Sequence, residues 1–387
     1  MSGDSKTRYR DALLDWLACA VGGLAEPAAR SAREAGDGLL DRVTAAGTAG
    51  HVLDFDDTYL PGIAHLSAPT APAALVLGAE RGASAGEALA AYAAGFEAAG
   101  AMARAGHPAL YDGGWHPTAV CGALGAAVTA SRLLELSAEA ERSAGALALL
   151  RAAGLRSAFG SAGKSLQVGM AAATGTAAAR LAAAGANLDL DQIAQGPAGF
   201  EEAFGASFGQ PDDRSAIEEN WIKAYPCCLQ THGAIEAALT ARDEVENEVA
   251  GKASIEVTVH PVSLQAAPIA EPANGLEAKF SIPYLTAFAL LHGAPDTKSF
   301  GGIDDAAREL AGTIAVRADP EIAESEALLA IDGTQAARVE AALGSPQQPM
   351  SADQLAAKRR DLAGNRLEGA LDDLDRPAAE LLDVLSA

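Results

Sequence analysis

The sequence predicts a mainly α fold, a large all-α helical domain plus a smaller α+β domain, on three observations. Apolar residues make up 49% of the chain but aromatics only 5%, so Ala, Leu and Val must fill the core. Small core residues favour helices packed at close range. Residues 8 to about 210 read as helix after helix, whereas strand-like alternation appears only later. The length of 387 residues itself suggests about two domains.

Taken in order, Ser84-Ala85-Gly86-Glu87 is a capping-box pattern that opens an alanine-rich helix running through Arg104. Pro117 stands where a helix accepts its first residue, and a helix is expected from there to Leu136. Another runs from Lys164 towards Ala184. Character shifts near Pro211-Asp212-Asp213. Beyond it, Ile255, Val257 and Val259 alternate with Glu256, Thr258 and His260, which predicts a half-buried strand. Ile314–Val316 and Leu328–Ile331 read as further short strands, with helices near Gly233–Arg242 and Pro283–His292. After Pro346 the chain turns helical again, and Ser351-Ala352-Asp353-Gln354 is a second capping box. The expected division is a discontinuous helical domain, residues 1–215 and 341–387, interrupted by an α+β lid, residues 216–340. The cleft between them is the expected ligand site.

Charge removes several function classes. The chain has 28 basic and 51 acidic side chains, a net charge of −23, with no basic run to offset it. Such a surface repels phosphate backbones and anionic lipid, so neither nucleic acid nor membrane is an expected partner. The longest apolar runs free of Asp, Glu, Lys, Arg and His, Pro117–Ser131 and Ser165–Ala179, fall short of the roughly 20 residues that span a bilayer. The opening Met1-Ser2-Gly3-Asp4 carries no secretory pattern. Cys19, Cys121, Cys227 and Cys228 are scattered, which argues against a cysteine-ligated metal and for a reduced, cytoplasmic protein.

Chemistry concentrates in a few stretches. In His51-Val52-Leu53-Asp54-Phe55-Asp56-Asp57-Thr58, a helix would place His51, Asp54 and Thr58 on one face. The competing readings are a solvated acidic helix end and a magnesium-binding aspartate motif for a diphosphate. The latter lacks a second metal motif and an aromatic pocket. His65 follows Pro61-Gly62 and belongs on a loop. His116 precedes Pro117 at a helix N-terminus, where the cation is disfavoured and neutral imidazole is a competent base. Lys164 stands alone before an apolar helix, either seeking an anion or snorkelling to water. Lys223 lies in Trp221-Ile222-Lys223-Ala224-Tyr225-Pro226-Cys227-Cys228, a compact turn, with Thr231 placed to cap a helix beside His232. Tyr284 opens an apolar helix and serves either the site or the core. No P-loop, GxGxxG, HExxH or G-x-S-x-G context occurs.

Six of these pieces occur in one order: Gly47–His51 through Asp54–Thr58 with His65; Gly114-Trp115-His116-Pro117-Thr118-Ala119; Gly163-Lys164-Ser165-Leu166 with Gly169; Lys223–Cys228; Thr231-His232; and Ala278–Tyr284. In that order they resemble the MmgE/PrpD family, which includes 2-methylcitrate dehydratases, cis-aconitate decarboxylase and an iminodisuccinate epimerase. His65-Leu66, where the family commonly has His-Pro, and Tyr59-Leu60 depart from its pattern. The resemblance implies a helical domain with an α+β lid, usually homodimeric, and no metal or organic cofactor. It implies Asp54, His65, His116, Lys164 and Tyr284 as catalytic residues. Thr58, Lys164, Lys223 and His232 are implied as substrate-binding. The implied substrate is a small di- or tricarboxylate, and the implied reaction is dehydration after loss of a proton alpha to a carboxylate. Epimerisation, isomerisation or decarboxylation is the alternative outcome. A catalytically inactive binding protein is the alternative of another class.

Overall fold

The computed structural model describes residues 3–209, 213–248 and 254–385. Pro211 and Asp212, where a change of character was expected, lie outside the described residues. The fold is mainly α with an α+β part and divides into two units. The first comprises Met1–Ala158, Ala162–Ile222 and Ser351–Ala387; the second comprises Phe159–Ser161 and Lys223–Met350. The divisions fall at 222/223 and 350/351, not at the expected 215/216 and 340/341. Residues 216–222 stay with the first unit for a local reason. The backbone N–H groups of Ala216 and Ile217 donate to Glu97, and Asn220–Trp221 pairs antiparallel with Thr58–Tyr59.

In the first unit the long helices are Gly3–Gly23, Leu39–His51, Ser67–Arg81, Ala85–Gly106, Pro117–Leu133, Ala138–Leu149 and Gly163–Ala183. Ser84 caps its helix as expected, accepting from Glu87 N–H while the Glu87 carboxylate accepts from Ser84 N–H. Small residues let backbones approach. A Cβ added at Gly169 would lie 2.3 Å from the Thr44 carbonyl and 2.5 Å from the Thr48 hydroxyl, so only glycine lets the Leu39–His51 and Gly163–Ala183 helices touch there. The helix Ala352–Ala363 opens on the Ser351 capping box and packs on Gly3–Gly23.

The second unit holds a four-stranded mixed sheet ordered Ile314–Ala318, Ile255–Val259, Ala327–Ile331, Thr334–Val339. Ile255–Val259 runs parallel to the first and antiparallel to the third, and its alternating Ile255, Val257 and Val259 are buried as the sequence predicts. The fourth strand escaped the sequence reading, although Asp332-Gly333 before it is a hairpin turn signal and both residues have positive φ. The helices His232–Glu248 and Ile282–His292 pack on each other, and the former also packs on the last two strands. Thr231 does not cap by its side chain: it ends a short 3-10 turn and donates its hydroxyl proton to the Cys228 carbonyl.

Among the described residues no single helix is long and apolar enough to cross a membrane. All four cysteines are buried, and none is joined in a disulfide.

Candidate active site

The helix Leu39–His51 delivers His51 and then stops, so the face that His51, Asp54 and Thr58 would share on a helix does not form. Asp54 instead adopts φ +54°, a left-handed conformation that few non-glycine residues tolerate, with its N–H bonded to the His51 carbonyl at 3.0 Å. This reversal turns Asp54, Asp56 and Asp57 inward. All three are buried, so the stretch follows a helix end, as one reading had it, but is not solvated.

Asp56 binds two imidazoles. His51 Nδ1 lies 3.0 Å from both of its oxygens, and His65 Nδ1 lies 3.1 Å from Oδ2. Burial opposes ionisation of Asp56, but its interactions with the His51 and His65 imidazoles hold its carboxyl well below the usual range. Asp57 differs. Burial, reinforced by the neighbouring Asp56 charge, pushes it up to about 7, against hydrogen bonds from Ser67 and Asn220. Both carboxylates therefore have protein partners, unlike an aspartate motif held open for magnesium.

Lys164 enters from the first turn of the Gly163–Ala183 helix and is buried, not snorkelling. Its Nζ donates to His51 Nε2 at 2.8 Å and to Asp54 Oδ1 at 3.1 Å. His65 sits on a loop as expected, its N–H bonded to Thr118 Oγ1, and its Nε2 stands 3.6 Å from Asp54 Oδ1. Burial lowers the His51 pKa and, with the Lys164 charge, holds His116 well below the usual imidazole value.

His116 is the residue before the Pro117–Leu133 helix, as its sequence position predicts. Its ring lies 6.1 Å from that of His51, centroid to centroid, and its N–H bonds the Gly154 carbonyl at 3.0 Å. Gly154 has φ +135°, and a Cβ there would strike Ala119, so glycine is required for this close approach. Thr58 lies in the short strand Thr58–Tyr59; its hydroxyl is buried without a hydrogen-bond partner among the described residues, a donor and acceptor available to a ligand or water.

The structure thus brings together Asp54, His65, His116 and Lys164. Lys223, His232 and Tyr284 belong to the second unit. Lys223 is buried and donates to the Cys227 carbonyl at 2.9 Å. His232 starts its helix with its ring edge-on to Tyr225. The Tyr284 hydroxyl accepts from Asp304 N–H at 3.0 Å, and burial raises its pKa, so it remains a phenol.

The sequence reading gave no role to Asp56 or Gln167 and used His51 only for its spacing. Asp56 and His51 are five apart, a separation that matches no helical or strand face until the turn at Asp54 is known. Gln167 carried a signal: it is the one amide in the apolar run Ser165–Ala179. His51, Asp56 and His65 also present three ligand-type atoms within 4.8 Å of one another, a geometry that could hold one divalent ion. Here the same atoms are joined by hydrogen bonds, and an ion would have to displace both Nδ1 protons beside the Lys164 ammonium.

Residues 40–211 match the MmgE/PrpD N-terminal domain and residues 225–383 the MmgE/PrpD C-terminal domain, together most of the chain. No curated protein matches it.

Proposed function

The chain belongs to the MmgE/PrpD family, and from that premise we propose that it is a cofactor-independent lyase, a dehydratase of a small hydroxylated di- or tricarboxylate. The observation that carries this reading is the buried cluster of three histidines, Lys164 and Asp54 in the first unit. A proton alpha to a carboxylate is only weakly acidic, so its removal needs a positioned base and a preorganised positive charge for the enediolate that forms. An imidazole of the cluster is the base. Lys164 is the charge, and the Asp54 carboxylate holds it in place at 3.1 Å. The unpartnered Thr58 hydroxyl supplies a hydrogen bond to the substrate. In dehydration the hydroxyl beta to the carbanion then leaves with a proton as water. Reprotonation on the other face would give epimerisation instead, a second reading that the presence of more than one imidazole favours.

The test is proton exchange in deuterated water over a panel of polycarboxylates, with water loss, carbon dioxide and optical rotation followed in parallel. Deuterium incorporation with alkene formation is the expected result. Binding without exchange would instead favour an inactive binding protein. Exchange that a chelator abolishes and one divalent ion restores would refute cofactor independence.

A further inference from the structure

The three histidines of the cluster make different hydrogen bonds through Nδ1, and those partners assign each ring a different task. We propose that Asp56 and Gln167 are positioning residues that set opposite tautomers, making His65 the base and His116 a neutral hydrogen-bond donor. The inference rests on the reaction proposed above for its chemistry, but its structural half stands alone.

An ionised carboxylate can only accept hydrogen bonds. Asp56, fully buried between the two rings, therefore takes Nδ1–H from both His51 and His65. Each neutral ring then carries its lone pair on Nε2. In His51 that lone pair accepts from Lys164 Nζ at 2.8 Å, so His51 fixes the ammonium. In His65 Nε2 faces Asp54 Oδ1 at 3.6 Å. A proton gained there is flanked by two carboxylates, Asp56 at one nitrogen and Asp54 at the other, which stabilises the imidazolium.

His116 is held by the opposite chemistry. The backbone of Leu155 orients the Gln167 amide unambiguously: Leu155 N–H donates to Oε1 at 2.9 Å, and the Leu155 carbonyl accepts from Nε2 at 3.2 Å. The atom that meets His116 Nδ1 at 2.7 Å is therefore the amide nitrogen, a donor. Nδ1 must accept, and the ring proton sits on Nε2. With Lys164 nearby a cation is disfavoured at His116, so the ring acts as a neutral N–H donor.

The step balances without a co-reactant. His65 Nε2 takes the alpha proton, and the C–H electron pair moves into the carboxylate to form the enediolate. The Lys164 ammonium and His116 Nε2–H hydrogen-bond the new oxyanion without giving up their protons. When the beta C–O bond breaks, its electron pair leaves with oxygen, the enediolate pair forms C=C, and the His65 imidazolium returns the proton to make water.

The experiment is two-bond ¹H–¹⁵N correlation on histidine-labelled protein, each ring assigned by its His→Gln variant. Expected are a pyridine-like Nδ1 in His116 and pyrrole-like Nδ1 in His51 and His65. Gln167→Glu, whose carboxylate accepts, should convert Nδ1 of His116 alone to pyrrole-like. His116→Gln keeps an N–H donor and should lower exchange no more than about 10-fold, whereas His65→Gln should lower it about 10²–10⁴-fold. One tautomer in all three rings, His116→Gln as damaging as His65→Gln, or a stoichiometric divalent ion bound at Nδ1 of His51 and His65 would overturn the proposal. If no polycarboxylate undergoes exchange, the reaction assigned above fails, while the spectra still decide the tautomers.

Discussion

Lys358 and Asp15, 343 residues apart in sequence, form a buried ion pair at 2.8 Å. The same ammonium donates to the Phe55 carbonyl at 2.8 Å and lies 3.9 Å from the centroid of the Phe55 ring. Phe55 stands between Asp54 and Asp56, so a helix near the C-terminal end of the chain holds the loop that carries both carboxylates. Lys358→Met leaves Asp15 buried without its ion-pair partner, and breaking such a pair costs about 3–5 kcal/mol. The expected result in urea is a lower midpoint with an unchanged slope, and substantial recovery in Lys358→Met/Asp15→Leu. Full stability of the single variant would show that the pair contributes nothing.

Asp57 gives the fold a pH dependence of definite sign. Its folded pKa of about 7 exceeds the unfolded value of about 3.9, so the folded state binds the proton more tightly between those limits. The contribution is fully present below about pH 4, declines as pH rises to about 7, and is flat beyond. Asp57→Asn removes it. Thermal unfolding should therefore show the variant gaining on the wild type as pH rises from 5 to 8. A Tm difference independent of pH would mean that Asp57 is ionised throughout.

Much of this was legible in the sequence where a residue's role is set by its immediate neighbours. Ser84 and Ser351 cap the helices they were expected to cap, and Pro117 opens its helix with His116 just before it. The alternation at Ile255–Val259 became a strand because the period of two is itself the burial pattern. The site was legible only as a set of residue types. Asp56 meets His51 and His65 because the backbone reverses at Asp54, and the tolerance of Asp for positive φ does not single out Asp54 from Asp56 and Asp57. Gln167 meets His116 because two helices and the Gly154–Leu155 segment converge, which is tertiary information. A helix end at His51 was among the readings of this stretch, but that reading placed in solvent the Asp54, Asp56 and Asp57 carboxylates that the turn buries.

Gly169 tests how strictly the helix contact sets the site. Gly169→Ala places a methyl against the Thr44 carbonyl and Thr48 hydroxyl, so the two helices must separate. Overpacking of this kind costs about 1–3 kcal/mol. Lys164 and His51 ride on those two helices, and their 2.8 Å hydrogen bond should lengthen with them. Calorimetry and turnover together check this: the variant should lose activity even at temperatures where it is fully folded. A variant that melts early yet retains its specific activity would uncouple the packing from the site.

Lys164 carries the sharpest prediction, because its ammonium is buried against Asp54 and His51 at once. Lys164→Met removes the charge proposed to stabilise the enediolate while preserving most of the volume. Loss of one preorganised stabiliser of that kind costs about 10²–10³-fold in turnover. Lys164→Arg should not rescue it, since a planar guanidinium cannot reach His51 Nε2 and Asp54 Oδ1 from the position of a compact ammonium. Stability should move differently. Without Lys164 the Asp54 carboxylate is left buried beside Asp56, so Lys164→Met should melt early and Lys164→Met/Asp54→Asn should recover thermal stability without recovering activity. Rates and Tm measured on the same four proteins separate the two roles. If the double variant regains turnover along with its Tm, Lys164 serves only to balance Asp54, and the enediolate charge is met by another group.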